Sequence, residues 1–181
     1  MATLLGQYQA LAGYNRWMND KLYALCATLT DEERKRSMGA FFGSIHGTLN
    51  HLLLTDRAWL GRFTRDATVA TSLDHSGQPI PYTGKLDQVL YDDFALLRQE
   101  RAKTDAAIEA WLRGLSDADF DAPLSYRTSA GVPYKHPLWW AVTHFFNHQT
   151  HHRGQLTTLL SQLGHDPGGT DFPVFLRTDG A

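Results

Sequence analysis

The chain has 181 residues, of which 43% are hydrophobic and 20% charged, and its formal net charge is -2. This length and composition are ordinary for a globular protein and predict one domain over residues 1–181. Because the net charge is not positive, nucleic acid is not expected as a partner. No apolar run reaches the ~20 residues of a membrane span. With a single cysteine, Cys26, no internal disulfide can form, and a cytoplasmic location is expected.

Apolar residues recur at helical spacing through residues 3–29 and predict the first helix. Asn15 is the polar residue on this predicted core face, so it needs a hydrogen-bond partner. Cys26 lies on the same helix and is interpreted as a small apolar packing residue. Thr30 and Glu33 have the spacing of a capping box, so a short helix is expected to follow.

A second long helix is predicted for residues 44–63, which have a broad apolar face. Asp56 falls near the middle of that face, where a carboxylate is costly unless it is paired. Glycines and prolines make residues 65–85 a long surface connection. A third helix is predicted from about residue 86 to residue 115. Alternating apolar and polar residues around a central Ala-Gly pair predict a small β-hairpin at 124–134.

The last long helix is predicted to begin at Pro137 and to continue to Leu163. Proline suits the first helical turn, and Gly164 is expected to end the helix. An irregular tail is expected from Asp166 onward. The sequence therefore predicts an all-α protein, a four-helix bundle with crossover loops and a small β-hairpin before the last helix.

Four of the chain's nine histidines lie within nine residues of the last predicted helix. On a helical wheel at about 100° per residue, His152 lies about 30° and His148 about 70° from the buried direction, whereas His144 and His151 lie beyond about 100°. Histidines four residues apart stack on one helix face and can converge on one cation. His148 and His152 are thus the predicted inward pair, and His144 and His151 are predicted to be outer residues.

A site with two histidines binds a metal weakly, so a third ligand is expected from another helix. The second long helix has His46 and His51, and periodicity does not decide between them, although the wheel slightly prefers His46. On the last helix, Gly154 is interpreted as a position of close helix approach. Arg153 either caps a carboxylate or contacts a substrate anion.

Other kinds of site have little support in the sequence. There is no phosphate-binding glycine-rich loop, no paired-cysteine metal site and no nucleophile elbow. The His-Phe-Phe-Asn-His segment that begins at His144 lacks the glutamate of the zinc-protease HExxH motif, which argues against a peptidase.

Three stretches of the chain combine polar and aromatic residues in a recognisable order: YNRWMN at residues 14–19, SIHGTLNH at 44–51 continuing to TDRAW at 55–59, and NHQTHHRGQ at 147–155. These stretches resemble the DinB (DinB/YfiT-like) family of bacterial metalloenzyme candidates. They occur in the family's order over nearly the whole chain. The resemblance rests on the three stretches together.

This resemblance implies a DinB-like four-helix bundle that holds a divalent metal ion by three histidines, one from the second long helix and two from the last. Carried over position by position, these ligands are His51, His148 and His152. The resemblance, and not the wheel, selects His51. Imidazole ligands suit Zn and Ni, with Fe and Cu as further possibilities. The candidates for holding the ring nitrogens that do not bind metal are Asp56, Asn15 and Asn50.

Three imidazoles leave a coordination position open for water or substrate. Relatives include transferases and isomerases that use low-molecular-weight thiols, so the resemblance implies a metal-dependent, thiol-dependent S-transferase. The alternatives are a metal-dependent hydrolase and a non-catalytic metal-binding stress or interaction module. The resemblance also implies a homodimer that acts on a small molecule. The sequence identifies no second catalytic group.

Overall fold

The computed structural model describes residues 3–128 and 130–178. Four long helices make up its main body: α1 (Leu4–Cys26), α3 (Ile45–Thr64), α5 (Phe94–Arg113) and α6 (Leu138–Gln162). Both α1 and α3 pack against α5 and α6, so long connections link the successive bundle helices. The predicted all-α bundle is confirmed. The prediction of one domain over 1–181 stays a prediction, and both ends of that range lie outside the described residues.

Side-chain caps explain where these helices begin. The hydroxyl oxygens of Thr3 and Ser44 accept backbone N–H groups at the starts of α1 and α3, and Asp93 does the same for α5. Such caps are each worth ~1 kcal/mol. The predicted capping box of Thr30 and Glu33 is present at the start of α2 (Asp31–Lys35).

The predicted third helix is wrong at its start, because α5 begins at Phe94 rather than near residue 86. The preceding segment is held against α3 instead of coiling. The side-chain oxygen of Asn50 accepts the backbone N–H groups of Leu90 and Tyr91, both at 2.9 Å. These two N–H groups are therefore taken by a tertiary contact that local periodicity does not reveal.

Two other regions contain more regular structure than the sequence predicts. The connection at 65–85 includes α4 (Ala67–Ala70) and a two-residue antiparallel pair, β1 (Ser72–Leu73) with β2 (Pro79–Ile80). The tail includes α7 (Phe172–Thr178), which packs against α1. The prediction of an irregular tail is therefore wrong for this last segment.

The hairpin before the last helix is confirmed. β3 (Pro123–Arg127) pairs antiparallel with β4 (Pro133–Pro137), and Gly131 in the turn has a φ of 79°, which favours glycine. Ser129, within the predicted hairpin, lies outside the described residues. Gly164 has a φ of 84° just after α6, as expected for a residue that ends a helix.

The bundle core consists of two apolar clusters with a layer of buried polar residues between them. One cluster includes Leu22 and Leu49, and the other includes Ile108 and Phe145. Each long helix contributes buried polar residues where it passes from one apolar cluster to the other; they are Asn15, Asn19, Asp56, Arg57, Glu100, Arg101, Thr104, Asp105, Gln149 and Arg153. We call this set the polar layer. Among the described residues, no helix has the length and apolar character that crossing a membrane requires.

Candidate metal centre

Three histidines from two helices converge beside the polar layer. The Nε2 atom of His148 lies 3.3 Å from Nε2 of His51 and 3.1 Å from Nε2 of His152. One ring nitrogen from each residue lies within 4.8 Å of the other two. The structure thus brings together all three histidines that the resemblance implies, and this cluster could bind a metal ion.

The helical wheel predicts correctly which histidines of α6 point inward. His152 is buried and His148 half-buried, whereas His144 and His151 are exposed. His148 and His152 lie one turn apart on α6, and their ring centroids are 4.4 Å apart. The two histidines that α6 contributes to the cluster can therefore be identified from helix geometry alone.

The slight preference of the wheel for His46 is wrong. His46 is buried, but its Nε2 lies 2.9 Å from the backbone carbonyl of Tyr91, away from the cluster. His51 instead has its Nδ1 2.8 Å from the carbonyl of Leu86. The segment before α5 therefore contacts both histidines of α3 and leaves only the Nε2 of His51 facing α6.

The hydrogen bonds of the outer ring nitrogens determine the tautomers of two histidines. Nδ1–H of His51 must donate to the Leu86 carbonyl, and Nδ1–H of His152 donates to Oε1 of Gln155 at 2.8 Å. In the neutral rings, Nε2 of both residues is then an unprotonated acceptor. Both acceptors face Nε2 of His148, which can offer at most one proton, so a lone pair remains without a donor.

A divalent cation fits this arrangement. Two nitrogen ligands at 2.0–2.1 Å from one tetrahedral ion lie about 3.3 Å from each other. The two Nε2 separations from His148, 3.1 and 3.3 Å, agree with that spacing, and all three ligand atoms lie within 4.8 Å of one another. The donor set of three imidazoles has the composition of a metal site that keeps a coordination position open.

Burial keeps the three rings neutral, which is the form that binds metal. Desolvation lowers the pKa of His51 to about 4 and the pKa of His148 to about 3. Burial also lowers the pKa of His152, although its hydrogen bond to Gln155 opposes this shift. Near pH 7 the cluster therefore needs to lose no proton before it binds a cation.

Phe42 covers one side of the cluster. Its ring stacks on His51 with a centroid distance of 3.7 Å and meets the edge of His152 at 5.4 Å. The chain can follow this path because residue 47 is glycine, since a Cβ at Gly47 would overlap the carbonyl oxygen of Phe42. Solvent and ligands must therefore reach the histidines from another side.

A pocket of about 470 Å³ opens on that other side, with His51 and His148 in its wall. Leu54, Trp59 and Tyr126 contribute to a lining that is largely apolar and aromatic. The pocket reaches the surface, because other lining residues are about half exposed. Its size and composition suit a small organic molecule.

The whole chain is similar to one protein family. The DinB family matches residues 1–180. The chain belongs to the DinB family. Protein DinB of Bacillus subtilis (strain 168) is 25% identical over 164 residues, which are 90% of this chain and 90% of that protein.

A solved DinB-like protein has a similar fold. The crystal structure of a DinB-like protein from Bacillus cereus ATCC 10987 covers 84% of this chain and 90% of its own, with a TM-score of 0.55 and 18% identity. At this identity the likeness shows the fold alone, and it agrees with the DinB bundle described above.

The DinB-like stretches contribute to the polar layer as well as to the histidine cluster. Asn15 donates to Oδ1 of Asp105 at 3.1 Å, which confirms that this residue has a buried partner. Asp56 accepts from Arg101 at 2.5 Å, which confirms the expected charge pairing. Neither Asn15 nor Asp56 contacts a ring nitrogen of the cluster, and Asn50 bonds the backbone before α5. As supports of the histidines, all three candidates are wrong.

Leu86 and Gln155 contact the Nδ1 atoms of His51 and His152, and the sequence pattern gave little or no indication of either contact. Leu86 acts through its backbone carbonyl, which no side-chain pattern can reveal. Gln155 lies three residues after His152 on the same helix face, so helical spacing could have identified it.

The two open interpretations on α6 are also decided. Arg153 is buried and donates to Oδ1 of Asn15, so it binds within the protein rather than a substrate anion. A Cβ at Gly154 would meet nothing within 4 Å, and Gly154 is exposed, so the interpretation of close helix approach is wrong.

Proposed function

We propose that this chain is a divalent-metal-dependent enzyme that transfers the sulfur of a low-molecular-weight thiol to an electrophilic small molecule. In this proposal His51, His148 and His152 hold the ion. One observation carries it: the unprotonated Nε2 atoms of His51 and His152 both face Nε2 of His148, at the wall of a 470 Å³ pocket. A purely structural zinc normally has four protein ligands, so three histidines beside a pocket favour catalysis.

The donor set suits Zn²⁺ and Ni²⁺, with Fe and Cu as alternatives, because neutral imidazole binds all four. When bound, such an ion supplies Lewis-acid chemistry that lowers the pKa of a thiol or water at the open position. The protein's own groups orient the ligand rings through Leu86 and Gln155, and Phe42 keeps solvent from one face.

The reacting thiol comes from outside the chain. Cys26 is fully buried in the core, and burial raises the pKa of its thiol to about 12, so it is no nucleophile. In the transfer, the sulfur of the external thiol forms a bond to the electrophilic carbon of the acceptor. The leaving group departs with the electron pair of the broken bond, and the thiol proton passes to water.

The metal site is tested by metal analysis of protein purified without an affinity tag. We expect about one divalent ion per wild-type chain and almost none in His148→Ala. His144→Ala is the matched control, because His144 lies one turn earlier and faces the same pocket. Undiminished metal in His148→Ala would contradict the ligand assignment.

The reaction is tested with a panel of small thiols and electrophilic acceptors, with and without a chelator. We expect turnover that the chelator abolishes and that added Zn²⁺ or Ni²⁺ restores. Ester hydrolysis without any thiol would instead identify a metal-dependent hydrolase. Metal binding without turnover across the panel would identify a non-catalytic binding module.

The same proposal includes a cytoplasmic homodimer. Trp140 is 54% exposed and Trp139 is 37% exposed at the start of α6, and exposed tryptophans are common at protein interfaces. Light scattering during size-exclusion chromatography should give twice the mass of one chain. A mass equal to one chain would exclude the dimer at that concentration.

A further inference from the structure

Arg62 places a positive charge in the wall of the pocket beside the histidines. Its guanidinium lies 4.6 Å from the ring centroid of Trp59 and 5.3 Å from that of Tyr126. Among the described residues that line this pocket, Arg62 is the one with a permanent charge. The rest of the lining is aliphatic, aromatic, hydroxyl-bearing or histidine.

Within the described part of the chain, this guanidinium has no carboxylate partner and no hydrogen bond. Asp66, one turn later, instead accepts from the backbone N–H and the hydroxyl of Thr68, at 2.8 and 2.6 Å. Burial lowers the pKa of Arg62, since its partly desolvated charge lacks a counter-ion. Contacts with the two ring faces leave the in-plane N–H donors of the guanidinium free for a ligand.

The position of Arg62 sets the length of a molecule that could reach both it and the histidines. Arg62 follows His51 by eleven residues on α3, which corresponds to roughly 16 Å along the helix axis. Side chains lean toward the helix N-terminus, and contact with Trp59 agrees with that direction. The guanidinium thus lies roughly 10–15 Å from the histidine cluster, with Leu54 and Ala58 in the pocket wall between them.

We infer that Arg62 binds a carboxylate of the substrate, whose apolar body lies along the pocket and whose reacting group lies at the histidines. The position of the reacting group rests on the proposed function, whereas the carboxylate site does not. One guanidinium neutralises one negative charge, and a planar carboxylate matches its paired N–H donors. A phosphate dianion would leave a second charge in a largely apolar pocket, which is unfavourable.

The test uses protein stripped of metal with EDTA and then dialysed into metal-free buffer without chelator, so that no carboxylate can bind a metal ion and no EDTA carboxylate competes for Arg62. Isothermal titration calorimetry compares 4-phenylbutanoate with its neutral amide, 4-phenylbutanamide. We expect wild type to bind the carboxylate at least about tenfold more tightly, as a charge-assisted bidentate pair provides. In Arg62→Met the two ligands should bind equally, and Arg62→Lys should keep part of the preference.

Arg98→Met is the matched control, because it removes the same charge from an exposed position on α5 and should keep the wild-type preference. Three results would overturn the inference: no binding of the carboxylate by wild type, an undiminished preference in Arg62→Met, or tighter binding of 4-phenylbutyl phosphate than of the carboxylate.

Calorimetric titration of the same metal-free proteins with Zn²⁺ separates this inference from the proposed function. Arg62→Met should bind Zn²⁺ as wild type does. A wild type that prefers the carboxylate but binds no Zn²⁺ would refute the metal enzyme and support the Arg62 site. A wild type that binds Zn²⁺ but shows no preference would refute only the Arg62 site.

Discussion

The histidine cluster and the polar layer adjoin each other on α3 and α6, but they differ in how their buried polar groups are paired. In the polar layer, Arg101 lies 2.5 Å from Asp56 and 2.8 Å from Asp105, so unlike charges meet. In the cluster, nitrogen acceptors meet other nitrogens, and a ligand must supply the positive charge. Buried polar groups that the protein pairs itself stabilise the fold, whereas aligned acceptors without donors indicate a binding site.

The two regions share α3 and α6 because neighbouring residues of a helix point about 100° apart. Gln149 and Arg153 face the polar layer, and they directly follow His148 and His152, which face the cluster. Substitutions in the two regions should therefore separate stability from metal binding.

The largest expected effect on stability belongs to Arg101→Met in the polar layer. This change leaves Asp56 and Asp105 buried without their cation, and removing one partner of a buried ion pair costs about 3–5 kcal/mol. The free energy of unfolding of metal-free protein in urea measures this loss. Arg113→Met on the same helix is the control; its side chain is 65% exposed, so less than about 1 kcal/mol is expected. Equal losses in both variants would refute a structural role of the polar layer.

The next effect distinguishes the two histidines of α3. His51→Ala should weaken Zn²⁺ binding at least about 100-fold, because losing a ligand exceeds the 10–100-fold loss typical of a supporting residue. His46→Ala should keep the metal affinity within about threefold. It should instead lower the free energy of unfolding by about 2 kcal/mol, since it removes a buried ring and its bond to the Tyr91 carbonyl.

Calorimetric Zn²⁺ titration and urea unfolding of both variants measure this contrast. The assignment of His51 fails if His46→Ala loses metal as severely as His51→Ala does. A loss of stability in metal-free His51→Ala would not affect the assignment, because Zn²⁺ affinity is the quantity that tests whether His51 is a ligand.

The contrast between these histidines also shows how far the sequence predicts the molecule. Apolar periodicity predicts α1, α3 and α6 closely, and it identifies His148 and His152, because these features depend on one helix at a time. The choice of His51 over His46, and the late start of α5, depend on the segment that crosses α3 before α5. Its contacts with Asn50 and His51 join residues about 35–40 positions apart, so local patterns do not contain them.

The smallest expected effect belongs to Gln155→Ala. Gln155 accepts the Nδ1–H of His152 at 2.8 Å and so keeps the Nε2 lone pair of that ring directed at the cluster. Loss of a residue that orients a metal-binding histidine typically weakens binding by 10–100-fold, and we expect about tenfold because the other two histidines keep their contacts.

Gln155 is half-buried and lies outside the polar layer, so its loss should leave the free energy of unfolding nearly unchanged. His151→Ala is the control, since it removes the other side-chain partner of Gln155, 3.3 Å from its Nε2, without touching the bond to His152. Zn²⁺ affinity should then stay at the wild-type value. Equal weakening by the two substitutions would mean that the α6 surface as a whole, rather than one oriented tautomer, supports the site.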